Sequence, residues 1–458
     1  MQDIRDLGKN EKVRLIFRMF TGVQVKIRIL GVKGAEVMSL VYSVFVPHPP
    51  LFVPEVGRGE ERKCQASLDA YREIAHRLSQ AEVETVILVS PHAQLTKNGI
   101  TLTIEDRVQG DFSQFGAGQV NLSFASDAGI IALFKEHLSG VVPVRGGLDH
   151  GAFVPLYFLH EAGWNGKVVL MGMPLEQPEE YGELMRQILE NLPGRYALVA
   201  SGDLSHRLKE DGPYGFDSAG PEFDQLVVNL LQRDTKKMAD LPDDLVEKAG
   251  ECGYRSLRLA LAAKEGAPEV LSYEGPFGVG YLVADLYHSS PLPKWARRCL
   301  TTYLEKGEPG LLDLPDMHAL EFDVRRGCFV TLKQGGHLRG CIGTTEPWQE
   351  NLALEIQHNA IAAGTQDPRF PPVRAEELDS LSFTVDVLGE LEKIAGPEEL
   401  DPWRYGVVVR QRGRSGLLLP HLEGVDTVAE QISIAKQKAG IFDGITELWR
   451  FEVKRHYE

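Results

Sequence analysis

Between residues 39 and 287 short β-branched apolar runs alternate with stretches of helical spacing. That pattern predicts an α/β domain with a mostly parallel sheet covered by helices. The predicted buried strands lie at 40–46, 85–90, 167–171 and 196–201, each closed by polar or turn residues. Amphipathic spacing predicts helices at 65–79, 129–138 and 179–191. Residues 288–294 read as a linker, because Pro291 and Pro293 fall close together and prolines interrupt regular structure. Beyond it the pattern changes. A helix at 295–305 precedes a hairpin, in which runs at 328–333 and 337–342 flank Gln334-Gly335-Gly336. A helix at 349–363 and strands at 381–388, 405–410 and 448–453 complete a smaller α+β domain with antiparallel pairing. The expected organisation is an extension at 1–37, a first domain at 38–287, the linker, and a second domain at 295–458.

Composition supports two cores, since 458 residues with 43% hydrophobic content can fill both. The net charge of −16 disfavours the nucleic-acid backbone as a main partner. The first 37 residues carry eight Lys/Arg against four Asp/Glu, so the acidic excess belongs to the two domains. Basic residues interrupt every apolar run there, which excludes a signal-peptide core. The segment is either a poorly ordered extension or lies upstream of a translation start at Met38. No apolar run approaches the roughly 18 residues needed to cross a bilayer, so no membrane is expected. Cys64, Cys252, Cys299, Cys328 and Cys341 are odd in number and form no C-x-x-C pair, which fits a reducing cytoplasm.

Three predicted strands end in histidine-bearing turns: Pro47-His48-Pro49-Pro50, Ser90-Pro91-His92, and Ser201-Gly202-Asp203-Leu204-Ser205-His206. Ligands of open α/β sheets bind at the carboxyl ends of strands, so these imidazoles can converge on a metal although far apart in sequence. The flanking prolines would stiffen turns that hold ligands in place. His76, His137 and His160 lie in helical stretches and carry no such signal. The glycine-rich run from Gly275 to Gly280 lacks the strand-turn-helix context of a nucleotide loop.

These motifs, with Leu148-Asp-His-Gly-Ala-Phe-Val-Pro-Leu156, resemble the class III extradiol ring-cleavage dioxygenases and the related Memo proteins. The resemblance implies that His48 and His92 bind Fe(II) or another divalent metal, that His206 is the acid/base, and that His150 lines the pocket or supports the ligands. It also implies that Asp203 orients one of the histidines. Glu251-Cys252-Gly253-Tyr254 looks like the Memo proteins, which place a cysteine where the dioxygenases have a glutamate. Cys252 is therefore the first choice of third ligand and Glu251 the second, with packing at a helix start as the alternative role for Cys252. Glu274 is a weaker carboxylate candidate.

In the second domain, Arg339-Gly340-Cys341-Ile342-Gly343 ends a hairpin strand. A nearby cation would favour a Cys341 thiolate, but the glycines suit equally a tight junction with Cys341 packed as a small apolar residue. This motif, with the segments around Asn359–Ala363, Asp367-Pro-Arg369, Ser415–Pro420 and Lys438–Gly440, resembles the AMMECR family. Arg339, Cys341, Asp367 and Arg369 form its candidate site, with Asp367 and Arg369 also readable as a structural ion pair. A Memo-like domain fused to an AMMECR domain looks like the AmmeMemoRadiSam system, which implies a radical SAM protein as partner. Three functions compete: an iron-dependent dioxygenase acting on a small catechol-like diol, a non-catalytic metal module assisting the radical SAM partner, and a metal-dependent hydrolase or carbon–carbon lyase.

Overall fold

In the strand Thr85–Ser90 every side chain is buried, and successive residues point to opposite faces. Val86 and Leu88 enter one apolar cluster while Ile87 and Val89 enter another, so the sheet must be covered on both sides. The computed structural model describes residues 40–190, 192–307, 322–422, 424–442 and 446–458, with the backbone of two three-residue strands before them. Those two, β1 (Arg14–Ile16) and β2 (Arg28–Leu30), pair antiparallel. The expected extension and the Met38 start otherwise lie outside the described residues.

The chain divides into two compact units, 1–288 and 289–458. Strands of the first unit are β3 (Leu40–Val46), β4 (Thr85–Ser90), β5 (Ile100–Thr103), β6 (Arg107–Phe112), β7 (Ala117–Ala125), β8 (Val141–Val144), β9 (Lys167–Gly172), β10 (Tyr196–Ser201), β11 (Glu269–Glu274) and β12 (Tyr281–His288). Eight of them form one sheet in the order β11-β12-β3-β10-β4-β9-β5-β8, and β6 and β7 form a separate hairpin. The expectation of a mostly parallel sheet needs correcting, because the sheet is mixed. β3, β10, β4 and β9 run parallel at its centre, but β12 is antiparallel to β3 and to β11, and β5 is antiparallel to β9.

Helix α1 (Pro54–Gly57) follows β3. One face is covered by α2 (Gln65–Gln80), α4 (His150–Glu161) and the β6–β7 hairpin, through Leu68, Ile74, Phe153, Leu156 and Phe112. The other carries α3 (Ala128–His137), α5 (Pro178–Leu189), α6 (Ala219–Arg233), α7 (Asp243–Ala249) and α8 (Tyr254–Ala263). Each fully buried Leu, Ile or Phe contributes about 1.5–3 kcal/mol, so these two layers hold the strand ends in fixed positions. The glycine-rich run after Glu274 is the turn joining β11 to β12, and Gly280 bonds the backbone of Leu204 and Ser205. It buttresses the Ser201–His206 turn.

The second unit opens with α9 (Pro291–Lys306), and the predicted linker is corrected here: His288 ends β12, and the prolines lie in the first turn of α9. A proline at the first helical position loses no hydrogen bond, since that amide has no helical acceptor, and Ser290 caps the helix. The strands β13 (Cys328–Gln334), β14 (His337–Gly343), β15 (Leu381–Leu388), β16 (Glu392–Ile394), β17 (Tyr405–Gln411), β18 (Arg414–Leu418) and β19 (Glu447–Tyr457) make an antiparallel sheet, as expected. Gly335 and Gly336 take positive φ in the two-residue turn between β13 and β14. Helices α9 and α10 (Leu352–Thr365) pack with β13 and β15 in one core, and α11 (Val428–Ala439) packs with β17 and β18 in another.

Candidate metal centre

The three histidine turns converge because the central strands are in register. Val46 of β3 pairs with Ser201 of β10, and Ala200 pairs with Val89, one residue before Ser90 at the end of β4. His48, His92 and Asp203 therefore each stand two residues beyond aligned strand ends. The result is a contact of 3.0 Å between the Nε2 atoms of His48 and His92. α4 starts beside them: Asp149 caps it, accepting from the Ala152 amide and from Ser90 Oγ at 2.6 Å, and His150 is its first residue. The His92 and His150 rings lie 4.0 Å apart between centroids.

Cys252 arrives from the turn before α8. Its Sγ lies 3.6 Å from His48 Nε2 and accepts from the Asp203 amide at 3.3 Å. This approach depends on two facing glycines: a Cβ on Gly202 would fall 2.1 Å from the Cα of Gly253. Gly202→Ala should push the two turns apart, costing about 1–3 kcal/mol in urea unfolding and weakening metal binding. Unchanged stability and metal binding would refute this account.

His48 is the hub of two overlapping groups whose ligand atoms all lie within 4.8 Å of one another, one with His92 and His150 and one with Asp203 and Cys252. Asp203 holds the His48 backbone rather than its ring: Oδ1 accepts the His48 amide at 3.0 Å, while Oδ2 stands 3.9 Å from Nε2. Glu251 is turned to another task, accepting the Tyr254 amide and facing Arg255 at the start of α8. Glu274 accepts the Ser67 amide in the first turns of α2. The His206 ring packs at a tilt against the exposed ring of Tyr214, with centroids 5.1 Å apart, and its Nε2 is buried without a hydrogen-bond partner among the described residues.

The electrostatics suit a cation. Burial, reinforced by the neighbouring imidazoles, keeps His48 neutral, and burial first also lowers His92 and brings His150 and His206 down to about 4. Burial raises Asp203 to about 7 and holds the Cys252 thiol well above its ordinary value. Neutral imidazoles offer lone pairs, and a buried carboxyl and thiol gain most from a positive ion. Two imidazole nitrogens each about 2.1 Å from one ion stand about 3 Å apart when the angle between them is near a right angle. The observed His48–His92 spacing fits that.

Sequence reasoning missed Ser201 and Ser90. Ser201 Oγ lies 2.8 Å from His48 Nδ1, and Ser90 Oγ accepts the His92 amide and donates to Asp149. Both are strand-terminal residues immediately before the motif turns, so the signal was the serine opening each motif, hidden by its membership of a buried strand.

In the second unit the structure brings Cys341, Asp367 and Arg369 together and sends Arg339 elsewhere. Asp367 accepts the Cys341 amide at 2.8 Å and pairs with Arg369 at 2.7 Å, and these contacts hold its carboxyl well below the usual range. Arg339 clamps Glu377 through two nitrogens. Burial pushes the Cys341 thiol up. A Cβ on Gly340 would meet the Ala363 carbonyl at 2.2 Å, which shows why β14 needs glycine where α10 crosses it. Asp367→Ala should cost about 1–3 kcal/mol in denaturant unfolding, a figure discounted because the guanidinium of Arg369 is half exposed.

A family model described as the catalytic LigB subunit of aromatic ring-opening dioxygenase matches residues 42–284, more than half of the chain. The chain belongs to the LigB family. The AMMECR1 model matches residues 293–456, so this LigB-family chain carries an AMMECR1 domain, as the two sets of motifs implied. A Clostridium acetobutylicum protein is 40% identical over 470 residues, spanning 92% of this chain and 100% of the relative. A Thermotoga maritima protein is 52% identical over 171 residues, covering 36% of this chain and 97% of its own. Among solved structures, an uncharacterized protein of Pyrococcus horikoshii shares 32% identity over 36% of this chain and 88% of its own, with a TM-score of 0.33. Among the described residues no helix is long and apolar enough to cross a membrane.

Proposed function

We propose that the LigB-like domain is a non-haem Fe(II) site that oxidises a small catechol-like diol with dioxygen. The observation that carries this reading is the meeting of His48 Nε2 with His92 Nε2 at 3.0 Å, with Cys252 Sγ 3.6 Å from His48 Nε2 and His206 near enough for its charge to act on His48. His48 would hold the metal together with His92 and His150, or together with Asp203 and Cys252. Iron supplies Lewis-acid and redox chemistry when bound. The protein's own part is proton handling and positioning. His206, neutral at physiological pH, takes a proton from a diol hydroxyl and later returns it. Exposed rings stand beside two of these histidines, Phe115 against His150 and Tyr214 against His206, and offer apolar faces to a flat substrate.

A second reading follows from Cys252. A soft thiolate in place of a hard carboxylate alters the redox behaviour of bound iron, which favours a metal module that works with the AMMECR1 domain to assist a radical SAM partner. The discriminating experiment is anaerobic Fe(II) loading of the full chain, followed by oxygen and a panel of catechols, with oxygen uptake and ring-fission absorbance recorded. Uptake coupled to ring fission supports the dioxygenase. Stoichiometric iron without turnover of any diol supports the module, and failure to bind iron sinks both.

A further inference from the structure

Helix α4 begins His150-Gly-Ala-Phe-Val-Pro155, with the proline four residues after Gly151 and inside the helix. In an α-helix the amide of residue i+4 donates to the carbonyl of residue i. Pro155 has no amide hydrogen, so the Gly151 carbonyl is left without its helical donor. Ser201, at the end of β10, supplies one instead: its Oγ donates to that carbonyl at 2.5 Å.

The consequence passes to the metal centre. A serine hydroxyl has a single proton. Once that proton is committed to Gly151, Oγ can only accept at its other contact, His48 Nδ1 at 2.8 Å. Nδ1 must then carry the hydrogen. In a neutral imidazole this leaves the lone pair on Nε2, the atom that faces His92 and Cys252. Ser201 is fully buried and Gly151 is buried too, so water does not compete for these bonds.

We propose that Pro155 and Ser201 act together as positioning residues that fix the tautomer of His48. The helical proline frees the Gly151 carbonyl, the serine fills it, and a lone pair of the hydroxyl keeps the His48 proton on Nδ1 and Nε2 open to a cation. The purpose of this device rests on the metal reading above, but its test does not.

The metal-free, EDTA-treated full chain, isotopically labelled at the histidine ring nitrogens, distinguishes the tautomers by long-range proton–nitrogen correlation at neutral pH. His48 signals are assigned by their loss in His48→Ala. The wild type should show His48 as the Nδ1–H form. Ser201→Ala should convert it to a mixture or to the Nε2–H form, and lower Fe(II) affinity roughly 10–100-fold, the range for removing a group that supports a metal-binding histidine. Pro155→Ala keeps the hydroxyl but restores a competing amide, so it should shift the tautomer in the same direction. The double variant should be no worse than Ser201→Ala alone, because both act through one bond.

A wild-type His48 in the Nε2–H form, or one unchanged by Ser201→Ala or by Pro155→Ala, overturns the proposal even where Fe(II) binds. The expected tautomer, lost in both variants of a protein that binds no Fe(II), would uphold it and remove the iron reading instead.

Discussion

His48→Ala should abolish stoichiometric Fe(II) binding, with affinity falling by more than about 100-fold, beyond the range seen when only a supporting hydrogen bond is lost. The reason is its place as the one residue shared by both candidate ligand groups. Cys252→Ala leaves the three histidines in place, and His150→Ala leaves the group with Asp203 and Cys252, so each should weaken binding less. Anaerobic titration of the three variants measures the order directly. Binding that survives in His48→Ala, with the fold intact by circular dichroism, would place the metal elsewhere. A larger loss in Cys252→Ala than in His150→Ala would identify the thiol-containing group as the one used.

The second large effect should fall on turnover. His206→Ala is expected to lower diol-dependent oxygen uptake by roughly 10²–10⁴-fold, the usual contribution of a positioned acid/base, while Fe(II) binding stays within a few-fold of wild type. Burial, and then His92, bring this imidazole down to about 4, so it is neutral at pH 7 and carries one unprotonated ring nitrogen. Its buried Nε2 has no hydrogen-bond partner among the described residues. Loss of iron together with activity in this variant would make His206 a ligand. Unchanged uptake would remove it from the reaction.

Much of this was legible in the chain, for reasons that also explain the failures. The buried strands β3, β4 and β10 were visible because an apolar β-branched run closed by a turn has few other readings, and β13 and β14 because two glycines announced the hairpin. Strand direction was not visible. Both faces of β12 are buried, so its apolar run reads the same whether it pairs parallel or antiparallel with β3. Helix α4 was hidden because it is apolar on nearly all sides and contains Gly151 and Pro155, which resemble loop residues. The edge strand β8 contains Pro143, which suppresses the strand signal. At the site, the turns carrying His48, His92 and His206 were recognisable as motifs, but the serines behind them were not. Their role depends on contacts between strands that are distant in sequence, and no local pattern encodes those.

The alignment of Val46 with Ser201, and of Val89 with Ala200, has a further consequence for how this site tolerates change. The donors are addressed by counting from the strand ends. Deleting one residue between Val46 and His48 would retract the imidazole by about 3.3 Å and turn it to the opposite side of the pleat, with every side chain still present. Insertions beyond His92 or His206 would leave the count untouched. Lineages carrying this fold should therefore vary freely in loop length past these donors and hardly at all in the two-residue interval before His48, His92 and Asp203.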